Sequence, residues 1–344
     1  MLPVVCLILT MIGVVAYAVF GSADFGAGFW DLTAGGARRG GRLRGMIQHS
    51  MSPVWEANHV WLVFVLVMTW TAFPVAFGAI FSNLYVPLFL AAVGIIFRGA
   101  AFALRGQAAT IREARFLGAL FASSSVLIPF CLGAAAGAIA SGRVKLGNAT
   151  ADPWTVWLNP TSIFAGLVGI VTGAYLAAVY LAGDSRRAGQ EDLVAAFRAR
   201  GLAAGVVAGG VAVAGLFVVR SDARQLYDGL TSGWGLVCVL ASGAGGVATL
   251  ALLWRGAYEL ARLAAAVAVA AVVAGWAFAQ RPYLLPPSLT LDRAAAPDTT
   301  LAALAIGVGI GLLVLVPSLV FLYRLVLRGT LDQGYEPLDQ RFHT

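Results

Sequence analysis

The sequence predicts an all-α polytopic membrane protein with about nine spanning helices. Composition is the first sign: 60% of the 344 residues are hydrophobic and 11% are charged, where a soluble chain carries about 25% charged residues. Mean hydropathy is +0.85. Periodicity of apolar runs is the second. Stretches long enough to span a bilayer, about 20 residues each, cover approximately 2–30, 53–80, 83–104, 116–141, 160–183, 201–220, 231–253, 257–280 and 300–327. No soluble domain and no internal sequence repeat stand beside them, so residues 1–344 read as one transmembrane domain.

The first stretch lacks an early basic segment and a cleavage site and contains Asp24, which marks a retained helix rather than a signal peptide. The second carries Pro74 near its end and the third Pro87 near its start, so the second is expected to split or tilt there. Residues 142–160, with Gly147, Asn148, Asp152, Pro153 and Pro160, read as a loop, as does 281–298 with Pro282, Pro286, Pro287 and Pro297. The Ala/Val/Gly-rich runs 201–219 and 263–275 are membrane helices whose small residues permit close packing. The tail from Leu331 to Thr344 is polar.

Arginine placement sets orientation, because inside loops carry the Lys/Arg excess. One alternating set of loops and ends holds 16 of these residues, including Arg38, Arg39, Arg42, Arg44, Arg105, Arg186, Arg187, Arg255 and Arg262. The other holds 6: Arg143, Lys145, Arg220, Arg224, Arg281 and Arg293. That asymmetry predicts an outside N-terminus, nine crossings and a cytoplasmic C-terminus. It also accounts for the net charge of +7 without nucleic acid as a partner. Cys6, Cys131 and Cys238 lie far apart in apolar runs, with no local zinc or haem-attachment spacing. With three histidines (His49, His59 and His343), the chain is a poor host for haem or copper, and no metal motif is present.

Three ionisable residues remain inside apolar stretches: Asp24, Glu56 and Arg98. A charge at that depth costs roughly 2.5–3.5 kcal/mol on insertion scales, so it persists when paired or functional. The predicted topology places all three in the cytoplasmic third of the membrane. Asp24 sits among small residues, Gly21-Ser22-Ala23-Asp24-Phe25-Gly26-Ala27-Gly28, that let a neighbouring helix approach. An Asp24–Arg98 pair locking the first and third stretches is the expected structural role. The densest polar segment is Pro53-Val54-Trp55-Glu56-Ala57-Asn58-His59-Val60-Trp61. Pro53 suits the first turn of a helix, on which Glu56 and His59 share a face. A carboxylate, an amide and an imidazole within one turn can pass a proton through side chains and water. The same residues also suit a plainer role, with Asn58 and His59 bonding neighbouring helices and Trp55 and Trp61 anchoring the interface. Glu259, Arg255 and Arg262 read as interfacial, with snorkelling side chains, and Tyr175 and Tyr180 as packing or as contacts to a quinone or lipid.

At these residues the chain resembles subunit II of the cytochrome bd quinol oxidases. The segments that carry the resemblance are Ser22-Ala23-Asp24-Phe25-Gly26, Pro53 to Trp61, Phe81-Ser82-Asn83-Leu84-Tyr85 and Phe97-Arg98-Gly99, with Pro286-Pro287-Ser288-Leu289-Thr290 near the end. Order and spacing agree across about residues 17–106, whereas about 115–280 agree only in hydropathy. Glu56, where many members have Asp, and the Glu-Ala-Asn-His form at 56–59 are similar to the cyanide-insensitive branch. The resemblance implies two four-helix bundles plus one peripheral helix, in a bacterial cytoplasmic membrane. It implies a haem-bearing subunit I as partner, which holds haems b and d and the outer quinol site. It leaves room for a structural quinone and a small accessory membrane subunit. The complex would oxidise quinol and reduce oxygen to water, with Glu56 feeding cytoplasmic protons and Asp24, Asn58 and His59 beside it. The rival reading is a proton-coupled secondary transporter with Asp24, Glu56 and Arg98 as coupling site. Confinement of these charges to the first three stretches disfavours it, since transporters tend to repeat their broken helices in both halves.

Overall fold

The computed structural model describes residues 1–35, 37–51, 55–147 and 149–327, without the side chains of 37–39, 55–57, 323, 326 and 327. Its first span is one rod, Leu2–Leu32, made of α1 (Leu2–Ala16), a π-helical turn (Tyr17–Gly21) and α2 (Ser22–Leu32). Next comes α3 (Ala37–Met51), which is too polar to span and buries Met46, Ile47 and Met51 against Phe121, Leu181 and Phe197.

The apolar stretch expected over 53–80 is two helices, α4 (Trp55–Ala72) and α5 (Pro74–Asn83), which meet at 119°. Pro74 is the reason. It has no N–H to continue the ladder of α4, and its fixed φ suits the first turn of a new helix. At 18 residues, or about 27 Å of rise, α4 is long enough to cross on its own. The Ala72 carbonyl, left over at the break, accepts a hydrogen bond from Ala296 N (2.8 Å).

The remaining spans follow the expected stretches closely: α6 (Tyr85–Arg105), α7 (Ile111–Ala140), α8 (Pro160–Arg187), α9 (Glu191–Asp222), α11 (Gly233–Trp254), α12 (Tyr258–Ala279) and α14 (Asp298–Leu327). Thr110 caps α7 by accepting from Glu113 N, and Asn159 caps α8 by accepting from Ser162 N. Between spans lie α10 (Arg224–Leu230), the hairpin β1 (Tyr283–Leu285) with β2 (Leu289–Thr290), and α13 (Leu291–Ala294). Among the described residues, eight helices are long and apolar enough to cross a membrane, and the bent pair α4/α5 brings the number to nine.

These nine spans group as two bundles of four, α1/α2 with α4, α6 and α7, and α8 with α9, α11 and α12. The last span, α14, lies at the edge against α1 and α4. The bundles meet where α2 and α7 pack on α8. There Gly26 approaches α8 so closely that a Cβ would lie 1.8 Å from the Gly173 carbonyl oxygen. One end of the molecule gathers α5, α10, the hairpin and the loop after α7. Asn83 donates to the Lys145 and Gly147 carbonyls (3.1 Å each) and accepts from Ala151 N. Arg143 holds Asp222 through two bonds, and Asp222 also accepts from Thr161. The other end carries α3 and the turns after α6, α8 and α11, tied by Arg42–Asp192 and Arg187–Glu259 pairs.

Candidate functional site

Arg98 is the largest fully buried side chain among the described residues, at 1% exposure. Its Nη1 donates to Asp24 Oδ2 (3.0 Å) and its Nη2 to the Asp24 carbonyl (3.1 Å). Its Nε donates to Ser125 Oγ (2.9 Å), which in turn donates to the Phe121 carbonyl (2.7 Å). The guanidinium lies 4.7 Å from the Phe121 ring centroid and 5.1 Å from that of Phe25. All three kinds of nitrogen are therefore engaged and both faces of the fork meet aromatic rings, which is how a buried cation is held. Gly28 makes this possible on the α2 side, since a Cβ there would lie 2.1 Å from Ser125 Oγ. The expected pairing of the first and third spans is thus present, with α7 supplying the third partner.

Asp24 is only half engaged. Its Oδ2 holds Arg98, while Oδ1 is buried without a hydrogen-bond partner among the described residues. On α4, Asn58 is buried and His59 is half-buried. The His59 ring lies 6.2 Å from Phe25 and 6.4 Å from Tyr17. The first turn of α4, which begins at Trp55, therefore stands level with the Asp24–Arg98 pair. The side chains of Trp55 and Glu56 lie outside the described residues. Trp61 is half-buried one turn further along, edge-on to Phe64 at 6.3 Å.

A second buried pair repeats the first at an offset of seven residues on each helix. Asp31 Oδ2 accepts from Arg105 Nη1 (2.6 Å), and Asp31 Oδ1 is 2.8 Å from Arg44 Nε of α3. Both Asp31 and Arg105 are buried. Reading Arg105 only as a loop arginine overlooked this, because the residue sits in the last turn of a span and looks interfacial. Its signal was the spacing: Asp24 to Asp31 and Arg98 to Arg105 are both two helical turns, about 10 Å, so parallel helices that form one pair are in register for the other.

Elsewhere, charged groups pair near helix ends. Arg262 donates to Asp184 Oδ1 (2.6 Å) and Arg187 to Glu259 Oε1 (2.5 Å). Arg262 also stands over the Tyr180 ring at 5.1 Å, and Tyr175 is buried in the second bundle. No group of three or more His, Cys, Asp or Glu side chains converges as a metal would need, among the described residues. Among the described residues, His59 is the one histidine in a spanning helix, and the rings of Tyr17 and Phe25 stand near it.

Residues 2–326 match the family model described as cytochrome bd terminal oxidase subunit II. The chain belongs to that subunit II family. It is 23% identical over 326 residues to the putative cytochrome bd menaquinol oxidase subunit II of Bacillus subtilis, with 91% of this chain and 92% of that one covered. It is 28% identical over 170 residues to the cytochrome bd-I ubiquinol oxidase subunit 2 of Escherichia coli, covering 45% and 42%. Its fold is similar to a chain in the structure of bd oxidase from Geobacillus thermodenitrificans, with TM-score 0.73 and 26% identity, covering 94% of this chain and 98% of that one. A subunit II is one part of an oxidoreductase complex and has a subunit I as its partner.

Proposed function

We propose that this chain is the haem-free subunit of a quinol-driven oxygen reductase in a bacterial cytoplasmic membrane. It braces the haem-bearing partner and carries cytoplasmic protons toward it. Glu56 is the entry carboxylate in the first turn of α4, with Asn58, His59 and Asp24 lining the route. The observation that carries this reading is the buried Asp24 carboxylate. One oxygen is fixed by Arg98, and the other has no bond among the described residues, while the His59 ring of α4 stands 6.2 Å from that of the adjacent Phe25. Asp31, by contrast, has a guanidinium nitrogen close to each carboxylate oxygen, Arg105 at 2.6 Å and Arg44 at 2.8 Å. Arg98, Ser125, Phe25 and Phe121 hold Asp24 in place and keep its charge compensated. The proton path therefore crosses the first bundle without placing a net buried charge there. Trp55 and Trp61 flank the entry at the membrane boundary. Haems b and d stay with subunit I.

The test is Glu56→Gln in the assembled complex. Quinol-driven oxygen consumption falls by roughly a hundredfold, the low end for a group that transfers a proton directly, while the haem spectrum is unchanged. Glu56→Asp retains most of the rate. A Glu56→Gln complex with full haem content and full oxygen consumption would remove the proton role.

A further inference from the structure

Tyr17 stands at the middle of the first span, in the π-helical turn that interrupts it. π turns are frequent at functional sites. A Cβ at Gly21 would lie 2.8 Å from Tyr17 Cε2 and 2.9 Å from Cδ2, so the ring packs against that glycine, one turn on toward Asp24. Its edge meets the Phe25 ring at 6.1 Å, and the His59 ring stands at 6.4 Å across from α4. The ring is half-buried, yet its hydroxyl oxygen is buried with no hydrogen-bond partner among the described residues.

Two buried oxygens in one neighbourhood, Tyr17 Oη and Asp24 Oδ1, thus have their hydrogen-bonding capacity unspent. Leaving such groups bare costs about 1–3 kcal/mol each, and native proteins satisfy them, with water where no side chain serves.

We propose that Tyr17 is a proton-relay residue that passes protons onward from the level of Asp24 and His59. A neutral phenol both accepts and donates. A water on the Asp24 and His59 side gives a proton to Oη as the phenol proton leaves to a water on the far side, so one proton enters, one leaves, and the phenol stays neutral. Gly21 leaves room for the ring, which a side chain there would displace.

This inference rests on the proton reading of Glu56, and the test separates the two. In the purified complex, Tyr17→Phe keeps the ring and removes only the hydroxyl. Haem content stays normal, quinol-driven oxygen consumption falls about tenfold, less than a direct acid or base would cost, and the ratio of rates in H2O and D2O rises. Packing alone would leave that ratio unmoved. Gly21→Ala, which displaces the ring while keeping the hydroxyl, slows the enzyme in the same way. A Tyr17→Phe complex with full rate and an unchanged isotope ratio, beside a slow Glu56→Gln complex, would overturn the relay and leave Glu56 as the entry. Full rates in both variants would overturn the path itself. Loss of haem-loaded complex in Tyr17→Phe would make the hydroxyl structural and end the relay assignment.

Discussion

In the first half of the molecule α4 stops at Ala72, the chain turns at Phe73 with φ −135° and ψ 59°, and α5 follows. In the second half α9 stops at Asp222, the chain turns at Ala223 with φ −141° and ψ 64°, and α10 follows. The two hinges share a backbone conformation although their residues have nothing in common. The same four-helix plan is therefore built twice, and the halves differ in what they bury. The first half places Asp24–Arg98 and Asp31–Arg105 inside its packing, whereas the charged pairs of the second half lie at helix ends. A shared scaffold needs no buried charge to hold its helices, since the second bundle manages with Tyr175, Thr249 and small residues in its interior.

Breaking the first bundle's inner pair has the largest expected effect. Arg98→Ala strands Asp24 beside Ser125 and two aromatic rings, and removing one member of a buried pair costs about 3–5 kcal/mol. The yield of haem-loaded complex, read from its spectrum, drops steeply. An unchanged yield would show that the pair does not hold α2 to α6. Arg105→Ala comes next, at about 2 kcal/mol, below the cost of a fully stranded charge, because Asp31 keeps Arg44 at 2.8 Å. It appears as a lower midpoint of thermal inactivation with near-normal yield. A loss as large as that of Arg98→Ala would make the two pairs equivalent. Smallest is Arg262→Ala in the second half. Its side chain and that of Asp184 are 19% and 20% exposed, and a partly solvated pair contributes about 1 kcal/mol or less. A shift in inactivation midpoint rivalling that of Arg105→Ala would erase the contrast between the halves.

Much of this was legible in the residues themselves. Apolar stretches marked the nine spans, because lipid leaves a helix little alternative, and the cost of Asp24 and Arg98 at depth announced that they would meet. Pro74 foretold a disturbance in the second stretch but not its size, since a proline kinks or ends a helix according to what waits beyond it. Here the Ala296 amide, which takes up the Ala72 carbonyl, favours ending it. Ser125 was not legible, because one serine in a long apolar helix carries no mark until Gly28 is seen to admit it. Asp31 and Arg105 were half legible, through their spacing. Tyr17 was hidden because one tyrosine in an apolar run carries no mark until its hydroxyl is seen to be buried with no hydrogen-bond partner among the described residues.

The bond from Ala296 to the Ala72 carbonyl joins parts of the chain made far apart in time. During synthesis α4 enters the membrane and waits with that carbonyl exposed at its end, while about two-thirds of the protein's length, up to Ala296, is still being laid down or threaded. Cys6 Sγ reaching the Leu301 carbonyl at 3.7 Å repeats the pattern between α1 and α14. The oldest helices are thus completed by the youngest, and a ribosome that stops before the hairpin leaves a bundle whose first half is unsealed and recognisable as unfinished by membrane quality control.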